Sequence, residues 1–297
     1  MVVEISNQTH GASMLRCARL LFHNLESFDA AADIYAAAWS AGVANVDMLV
    51  DYAELLETHQ VNPRAALECY EAAHAMETGR MNLRVLTPLA RLIHTCSGDV
   101  ELALHTFSKA LVICADAIAL QCQTRGGKRV RGGSDNVTRF DSLRETHRKL
   151  LVGYGDALRA KGMWREAEDS YLSVMEAAPE DTQARLGLMF SLLDGGEDAT
   201  TAQELLLGLV AEDVRDARLW FERGKQLAFK LGSLLDAEDR VFHAAVEDAI
   251  RAFEKSATID PQNSMAWIEM ARLECCNNNL QRSRQILEAV LDREPAC

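Results

Sequence analysis

The residues of this 297-residue chain that could perform chemistry are its eight cysteines, its eight histidines and its acidic pairs. The cysteines form no Cys-x-x-Cys pair, and no His and Cys spacing suits a zinc ion. The sequence also has no phosphate-binding glycine loop, no HExxH motif and no GxSxG motif. Acidic pairs such as Glu166 and Glu168 fit a solvated helix face. These residues therefore predict a protein that is not an enzyme and uses no cofactor.

The cysteines lie in apolar contexts and predict free thiols in a reducing compartment. The first ten residues do not resemble a signal peptide, and no uninterrupted run of 18 apolar residues occurs. We therefore expect a cytoplasmic protein with no membrane partner, and leave a nuclear or cytoskeleton-associated location open.

One segment reverses the charge of this acidic chain, whose net charge is −13. Residues 124–150 carry eight basic and three acidic residues, a net of +5. The basic residues assigned to a loop here are Arg125, Lys128, Arg129, Arg131 and Arg139. Two Arg-Gly-Gly triplets resemble RNA-contacting elements, which makes RNA one hypothesis, although no aromatic residues are interleaved. Contact with an acidic protein surface is the hypothesis we favour.

The elements that position these residues follow from a 34-residue period. In two segments, eight matching residues are separated by the same gaps of +3, +1, +3, +9, +4, +3 and +5. Most of these residues are of similar size in the two segments, and the last is proline in both. The matching positions are Leu151, Tyr154, Gly155, Leu158, Ala167, Tyr171, Val174, Pro179 and Trp267, Met270, Ala271, Glu274, Ser283, Leu287, Val290, Pro295. Such a spacing predicts two antiparallel helices that approach closely at the small residues. Because aromatic residues make up only 6% of the chain, helices are favoured over a β architecture.

These residues resemble the tetratricopeptide repeat, and about seven units cover nearly the whole chain. The resemblance implies an all-α, right-handed superhelical solenoid of helix-turn-helix repeats. The expected organisation is an N-terminal tail (1–10), three repeats (11–122), a basic Gly/Arg-rich loop (123–147), and four repeats (148–297) with an extended helical hairpin at about 227–250. The last unit also resembles the half-a-TPR repeat through Trp267, Ala271, Arg272, Glu274, Ser283, Arg284, Ile286 and Pro295.

A stacked repeat offers a concave groove lined by the first helix of each unit. From the repeat register, the candidate groove residues are Lys149, Val152, Arg159, Leu186, Phe190, Leu193, Arg218, Phe221, Lys225, Phe229, Met265, Ile268 and Arg272. This set is apolar with a basic fringe, which predicts a helical or extended protein segment with apolar anchors and some acidic residues.

The predicted function is a protein–protein interaction scaffold or adaptor subunit of a larger assembly. The alternative is an RNA-processing scaffold that uses the basic loop. The family's chaperone-binding carboxylate clamp is not matched, because Leu15, Arg19, Val152 and Asp156 stand at its positions in units one and four.

Overall fold

A computed structural model describes residues 15–22, 27–59, 61–126, 134–196, 198–231 and 239–293. The side chains of 124–126, 134–139, 239–240 and 293 are outside this description, as is the predicted tail at 1–10. The described residues form α-helices joined by short connections and contain no β-strand. The all-α fold predicted from the repeat pattern is therefore confirmed.

The chain divides into two compact units, Met1–Pro179 and Glu180–Cys297. The helices of unit 1 are α1 (15–22), α2 (Phe28–Ser40), α3 (Val46–Thr58), α4 (Pro63–Ala75), α5 (Leu83–Leu92, followed by a π-helical turn at Ile93–Ser97), α6 (Val100–Gly126), α7 (Ser134–Ala160) and α8 (Trp164–Ala177). A short 3-10 turn, Glu77–Gly79, lies between α4 and α5. The helices of unit 2 are α9 (Thr182–Gly195), α10 (Ala199–Ala211), α11 (Ala217–Leu231), α12 (Asp239–Ile259), α13 (Ser264–Cys276) and α14 (Leu280–Arg293).

Short polar side chains fix where several of these helices begin. Asn45, Asn82 and Asp181 each accept a hydrogen bond from a backbone N–H in the first turn of α3, α5 and α9. Asn62 does the same for α4, whose first residue is Pro63. Such caps satisfy donors that have no partner within the helix, and a proline at the first position loses no helical hydrogen bond. The helix starts are therefore set locally by the sequence.

The small residues of the repeat lie where two helices pack against each other. Gly155 of α7 lies against the ring of Tyr171 in α8, and Gly224 of α11 lies against the ring of Phe253 in α12. In the last pair, Ser283 Oγ donates a 2.8 Å hydrogen bond to the carbonyl of Ala271. The same sequence position thus brings two helices into close contact in both units.

The 123–147 segment, which the sequence analysis assigned to a loop, is mostly helical. Helix α6 continues to Gly126 and α7 begins at Ser134, so only 127–133 lie outside the described residues. The two helices pack together: the ring of Phe107 lies against Gly153, and Cys114 Sγ donates to the carbonyl of Leu143 at 3.5 Å. The loop prediction was wrong for 134–147, because apolar residues such as Ile118 of α6 and Phe140 and Leu143 of α7 continue the packing towards the Gly-rich centre.

This packing also changes the domain boundaries. The repeat pattern predicts three repeats and four repeats on either side of 123–147, whereas the structure keeps α6 and α7 in one unit and divides the chain after Pro179. Of the predicted hairpin at about 227–250, residues 227–231 and 239–250 are helical, and 232–238 are outside the described residues.

Helix α6 is the one candidate membrane span found among the described residues, by length and composition alone, over Val100–Gln123. In unit 1 it packs against α5 and α7, with Ala103, Phe107 and Ala110 buried. Burial accounts for only part of its apolar content, since 28% of the most apolar window is buried and Leu102, Val112 and Leu120 are exposed.

Candidate functional site

Three of the predicted groove residues are large apolar side chains exposed on the first helices of unit 2. Phe229, at the end of α11, is 88% exposed. Met265 and Ile268, on α13, are 55% and 40% exposed. Exposed side chains of this size have no role in the core of unit 2, so they are the members of the predicted set that a partner could reach.

Five other apolar members of the set belong to the packing of their units. Val152 on α7 and Phe190 on α9 are buried, with 8% and 5% exposure. Leu186 and Leu193 pack against the core around Phe190, and Phe221 meets the ring of Phe253 edge-on at 5.6 Å. Val152 and Phe190 are therefore not accessible to a partner in this structure, and their predicted role in a groove stays a prediction.

The five cations of the predicted groove each have a carboxylate partner within their own unit. Arg218 Nη2 contacts both oxygens of Asp194, at 2.6 and 2.9 Å, and its guanidinium lies 4.2 Å from the centre of the Phe190 ring. The remaining pairs are Lys225 with Glu222 at 2.9 Å, Arg272 with Glu269 at 2.7 Å, Lys149 with Glu145 at 3.5 Å, and Arg159 with Asp156 at 3.8 Å. Each cation of the expected basic fringe is therefore paired with a carboxylate of the same unit, and four of the five pairs join residues three or four positions apart on one helix.

Unit 1 contains a cleft that the sequence analysis did not predict. It has a volume of about 620 Å³, lies between α1, α2 and α3, and is lined by residues that include Leu15, Arg19, Tyr35 and Met48. The Tyr35 hydroxyl is buried and has no hydrogen-bond partner among the described residues, and burial raises the pKa of this tyrosine to about 12.

Beside this cleft, a buried carboxylate joins three first helices. Asp51 of α3 accepts from Arg19 Nε of α1 at 2.6 Å and from Arg84 Nη2 of α5 at 3.4 Å. The hydrogen bond to Asp51 raises the pKa of Arg19. Arg19 stands at one of the clamp positions and is already bound to a carboxylate of this chain. The spacing of Arg19, Asp51 and Arg84 by about one repeat is the signal that could have revealed this cluster.

A second polar contact at a clamp position serves the packing of unit 1. The Tyr171 hydroxyl donates to Asp156 Oδ1 at 2.7 Å. Burial and the neighbouring Asp156 carboxylate raise the pKa of Tyr171, and burial raises the pKa of Asp156. This pair joins α7 to α8.

The cysteines whose pKa is perturbed are poor nucleophiles. Burial raises the pKa of Cys69 to about 12 and also raises the pKa of Cys114. The thiolate is the reactive form, so burial disfavours reaction of these two thiols. In addition, no group of three potential metal ligands occurs in the part of the chain that the structure describes.

The five residues of the predicted basic loop are Arg125, Lys128, Arg129, Arg131 and Arg139. Lys128, Arg129 and Arg131 are outside the described residues. Arg125 lies near the end of α6 and Arg139 near the start of α7, and the description does not extend to their side chains. Their role stays a prediction.

Comparison with known proteins places this architecture among solved helical-repeat structures. One match is the "Assembly Chaperone of RpL4 (Acl4) (Residues 1-338)", with a TM-score of 0.60, 14% identity, and coverage of 93% of this chain and 99% of that chain. Another is pilF of Pseudomonas aeruginosa, with a TM-score of 0.52, 12% identity, and coverage of 91% and 99%. A tetratricopeptide repeat protein from Parabacteroides merdae ATCC 43184 has a TM-score of 0.49, 17% identity, and coverage of 89% and 98%. No family model and no curated protein matches the sequence.

The helix pairs and their close contacts at small residues define a helical-repeat protein. At 12–14% identity, the two matches with the higher TM-scores show a shared fold. This all-α helical-repeat fold agrees with the resemblance of the sequence to the tetratricopeptide repeat.

Proposed function

We propose that this chain is a non-catalytic protein-interaction scaffold whose unit 2 binds a helical or extended segment of another protein. The observation that carries the proposal is the exposure of Phe229, Met265 and Ile268 on the first helices α11 and α13. Apolar side chains on rigid helices are suitable anchors for the apolar face of a partner segment.

The ion pairs define the chemistry of this partner. Because Arg218, Lys225 and Arg272 are each paired with a carboxylate, an acidic segment would have to compete with these contacts. Exposed ion pairs of this kind add little binding energy when they are exchanged for similar ones. The proposed partner segment therefore presents apolar anchors and a largely neutral polar face.

An adaptor role within a larger cytoplasmic assembly is part of the same proposal. One protein of similar fold is described as an assembly chaperone of RpL4. A scaffold of this fold would contribute exposed apolar surface, such as that at Phe229, Met265 and Ile268, to such an assembly.

The test places a photoactivatable cross-linking amino acid at position 229 or 268 and identifies cross-linked proteins in cell extract. The partner should also be captured by the unmodified chain and lost from a Phe229→Glu/Ile268→Glu variant. Leu207→Glu is the matched control, because Leu207 is an exposed leucine on α10, a second helix of the same unit. Equal capture by all three chains would overturn the proposal.

The RNA alternative has a separate measurement. Binding of short RNA to the whole chain is titrated at low and at physiological salt, because phosphate contacts strengthen at low salt. Binding at low salt that is lost after neutralisation of Arg125, Arg129 and Arg131 would favour the RNA-processing scaffold. Absence of binding at low salt would remove it.

A further inference from the structure

The last described helix of unit 2, α14, has apolar side chains on two sides. On one side, Ser283, Ile286 and Val290 are buried. On an adjacent face, about 100° around the helix, Leu280, Leu287 and Leu291 are 63%, 40% and 69% exposed. Leu280 and Leu291 therefore contribute little to the packing of α14 within unit 2, and Leu287 is partly covered.

The exposed leucines follow the spacing of a helix–helix seam. Positions 280, 284, 287 and 291 are separated by four, three and four residues, which is the spacing of apolar positions in a coiled coil. Three of the four are leucines, and the fourth is Arg284, whose Nε contacts Glu288 Oε1 at 2.7 Å. A narrow stripe with this spacing fits one further helix better than an irregular surface.

The order of charges along α14 indicates what that helix is. Arg284 precedes Glu288 beside the exposed leucines, whereas Arg282 pairs with Glu254 and Glu274 of unit 2 and Arg293 ends the helix. A second α14 in antiparallel orientation would place Leu280 opposite Leu291 and bring Arg284 close to Glu288 of the other copy. A parallel arrangement would instead place Arg284 opposite Arg284. Opposite charges across a helix seam select partner and orientation.

We propose that two copies of this chain associate through antiparallel packing of their α14 helices, along a seam formed by Leu280, Arg284, Leu287 and Leu291. The proposal is independent of the first-helix face assigned to a partner segment above, because the seam lies on a different helix. A seam of four positions covers less than the roughly 1,600 Å² of a standard stable interface, so the dimer is expected to be weak and concentration-dependent.

The first test is analytical ultracentrifugation of the whole chain between about 1 and about 200 µM, a range suited to a small interface. The average mass should rise towards that of a dimer. Leu291→Glu should keep the chain monomeric, whereas Leu207→Glu should dimerise like the wild type. Circular dichroism checks that each variant remains helical, which we expect because Leu291 is largely exposed. A wild type that stays monomeric at the highest concentration would overturn the proposal and assign the seam to another helix.

The second test asks whether Arg284 contacts Glu288 of the other chain, in addition to Glu288 of its own helix. Arg284→Glu alone and Glu288→Arg alone should each remain monomeric, since like charges would meet in their homodimers. An equimolar mixture of the two variants should dimerise, because one chain then carries carboxylates at both positions 284 and 288 and the other carries guanidinium groups at both. No pairing within a chain can produce this recovery. A mixture that stays monomeric would overturn the antiparallel arrangement.

Discussion

Gly224 of α11 offers a quantitative test of how closely the repeat helices pack. A Cβ atom built at this position would lie 2.7 Å from Phe253 Cε1 and 2.8 Å from both Cδ1 and Cζ. Ordinary carbon contacts begin at about 3.4 Å, so the ring would have to move by about 0.7 Å. Phe253 is fully buried and already meets Phe221 edge-on, which leaves little room for that movement.

Two opposing effects set the expected size of the change for Gly224→Ala. Alanine is favoured over glycine in a helix by about 1 kcal/mol, whereas overpacking a buried site costs about 1–3 kcal/mol. Because three ring atoms are too close, we expect overpacking to dominate and the free energy of unfolding to fall by about 1 kcal/mol. Gly208→Ala on α10 is the control, since its Cβ would meet only the terminal Nη2 of Arg185, at 3.2 Å. That variant should be more stable than the wild type by about 0.5–1 kcal/mol.

The measurement is urea denaturation followed by circular dichroism, with a double-mutant cycle that adds Phe253→Leu. A smaller side chain at 253 should accept the new methyl group, so Gly224→Ala should lose its cost in that background. A Gly224→Ala variant that is as stabilising as Gly208→Ala, or whose effect does not depend on residue 253, would contradict this expectation.

Three further predictions concern other sites. Asp51→Ala should lower the free energy of unfolding by about 1–2 kcal/mol, because it leaves the guanidinium groups of Arg19 and Arg84 without their shared carboxylate. Solvent exposure of both arginines limits the loss. Acetate can replace the missing carboxylate, so sodium acetate should restore more stability than an equal concentration of sodium chloride. Val61 has a φ of 49°, which is costly for a β-branched residue, so Val61→Gly should raise the melting temperature, by an amount equivalent to about 1 kcal/mol. Burial lowers the pKa of His147 below its usual value of 6.5, so the unfolded chain binds a proton on this imidazole more readily than the folded chain does. The free energy of unfolding should therefore fall as the pH decreases below about 6.5. In denaturation measured across this pH range, His147→Gln should reduce the fall.

The sequence determined the repeat architecture because its determinants are local. Residues such as Gly155 and Tyr171 belong to neighbouring helices only 16 positions apart, and their alternation of small and large side chains repeats along the chain. The capping residues Asn45 and Asp181 likewise act within three residues. Periodicity and capping therefore predict the helix pairs without knowledge of the tertiary structure.

Tertiary packing decided which predicted groove residues are accessible. Phe190 and Phe229 both occupy first-helix positions that face the groove in the repeat register, yet Phe190 is covered by the Arg218 guanidinium and Phe229 is exposed. Arg218 itself is held by Asp194, 24 residues earlier in the chain. A repeat register gives the direction of a side chain, but its burial and ion pairing depend on residues of neighbouring repeats.

The same distinction explains the segment at 123–147. By itself its glycines and arginines predict a loop, because local composition favours one there. Contacts made by Phe107 and Cys114 of α6 with α7 instead extend two helices towards the Gly-rich centre. The sequence alone thus determined seven helix pairs and the basic character of one segment. Tertiary structure decided the helical conformation of most of that segment, the ion pairing of the groove cations and the exposure of the α14 leucines. Each of these depends on contacts between side chains that the repeat pattern does not specify.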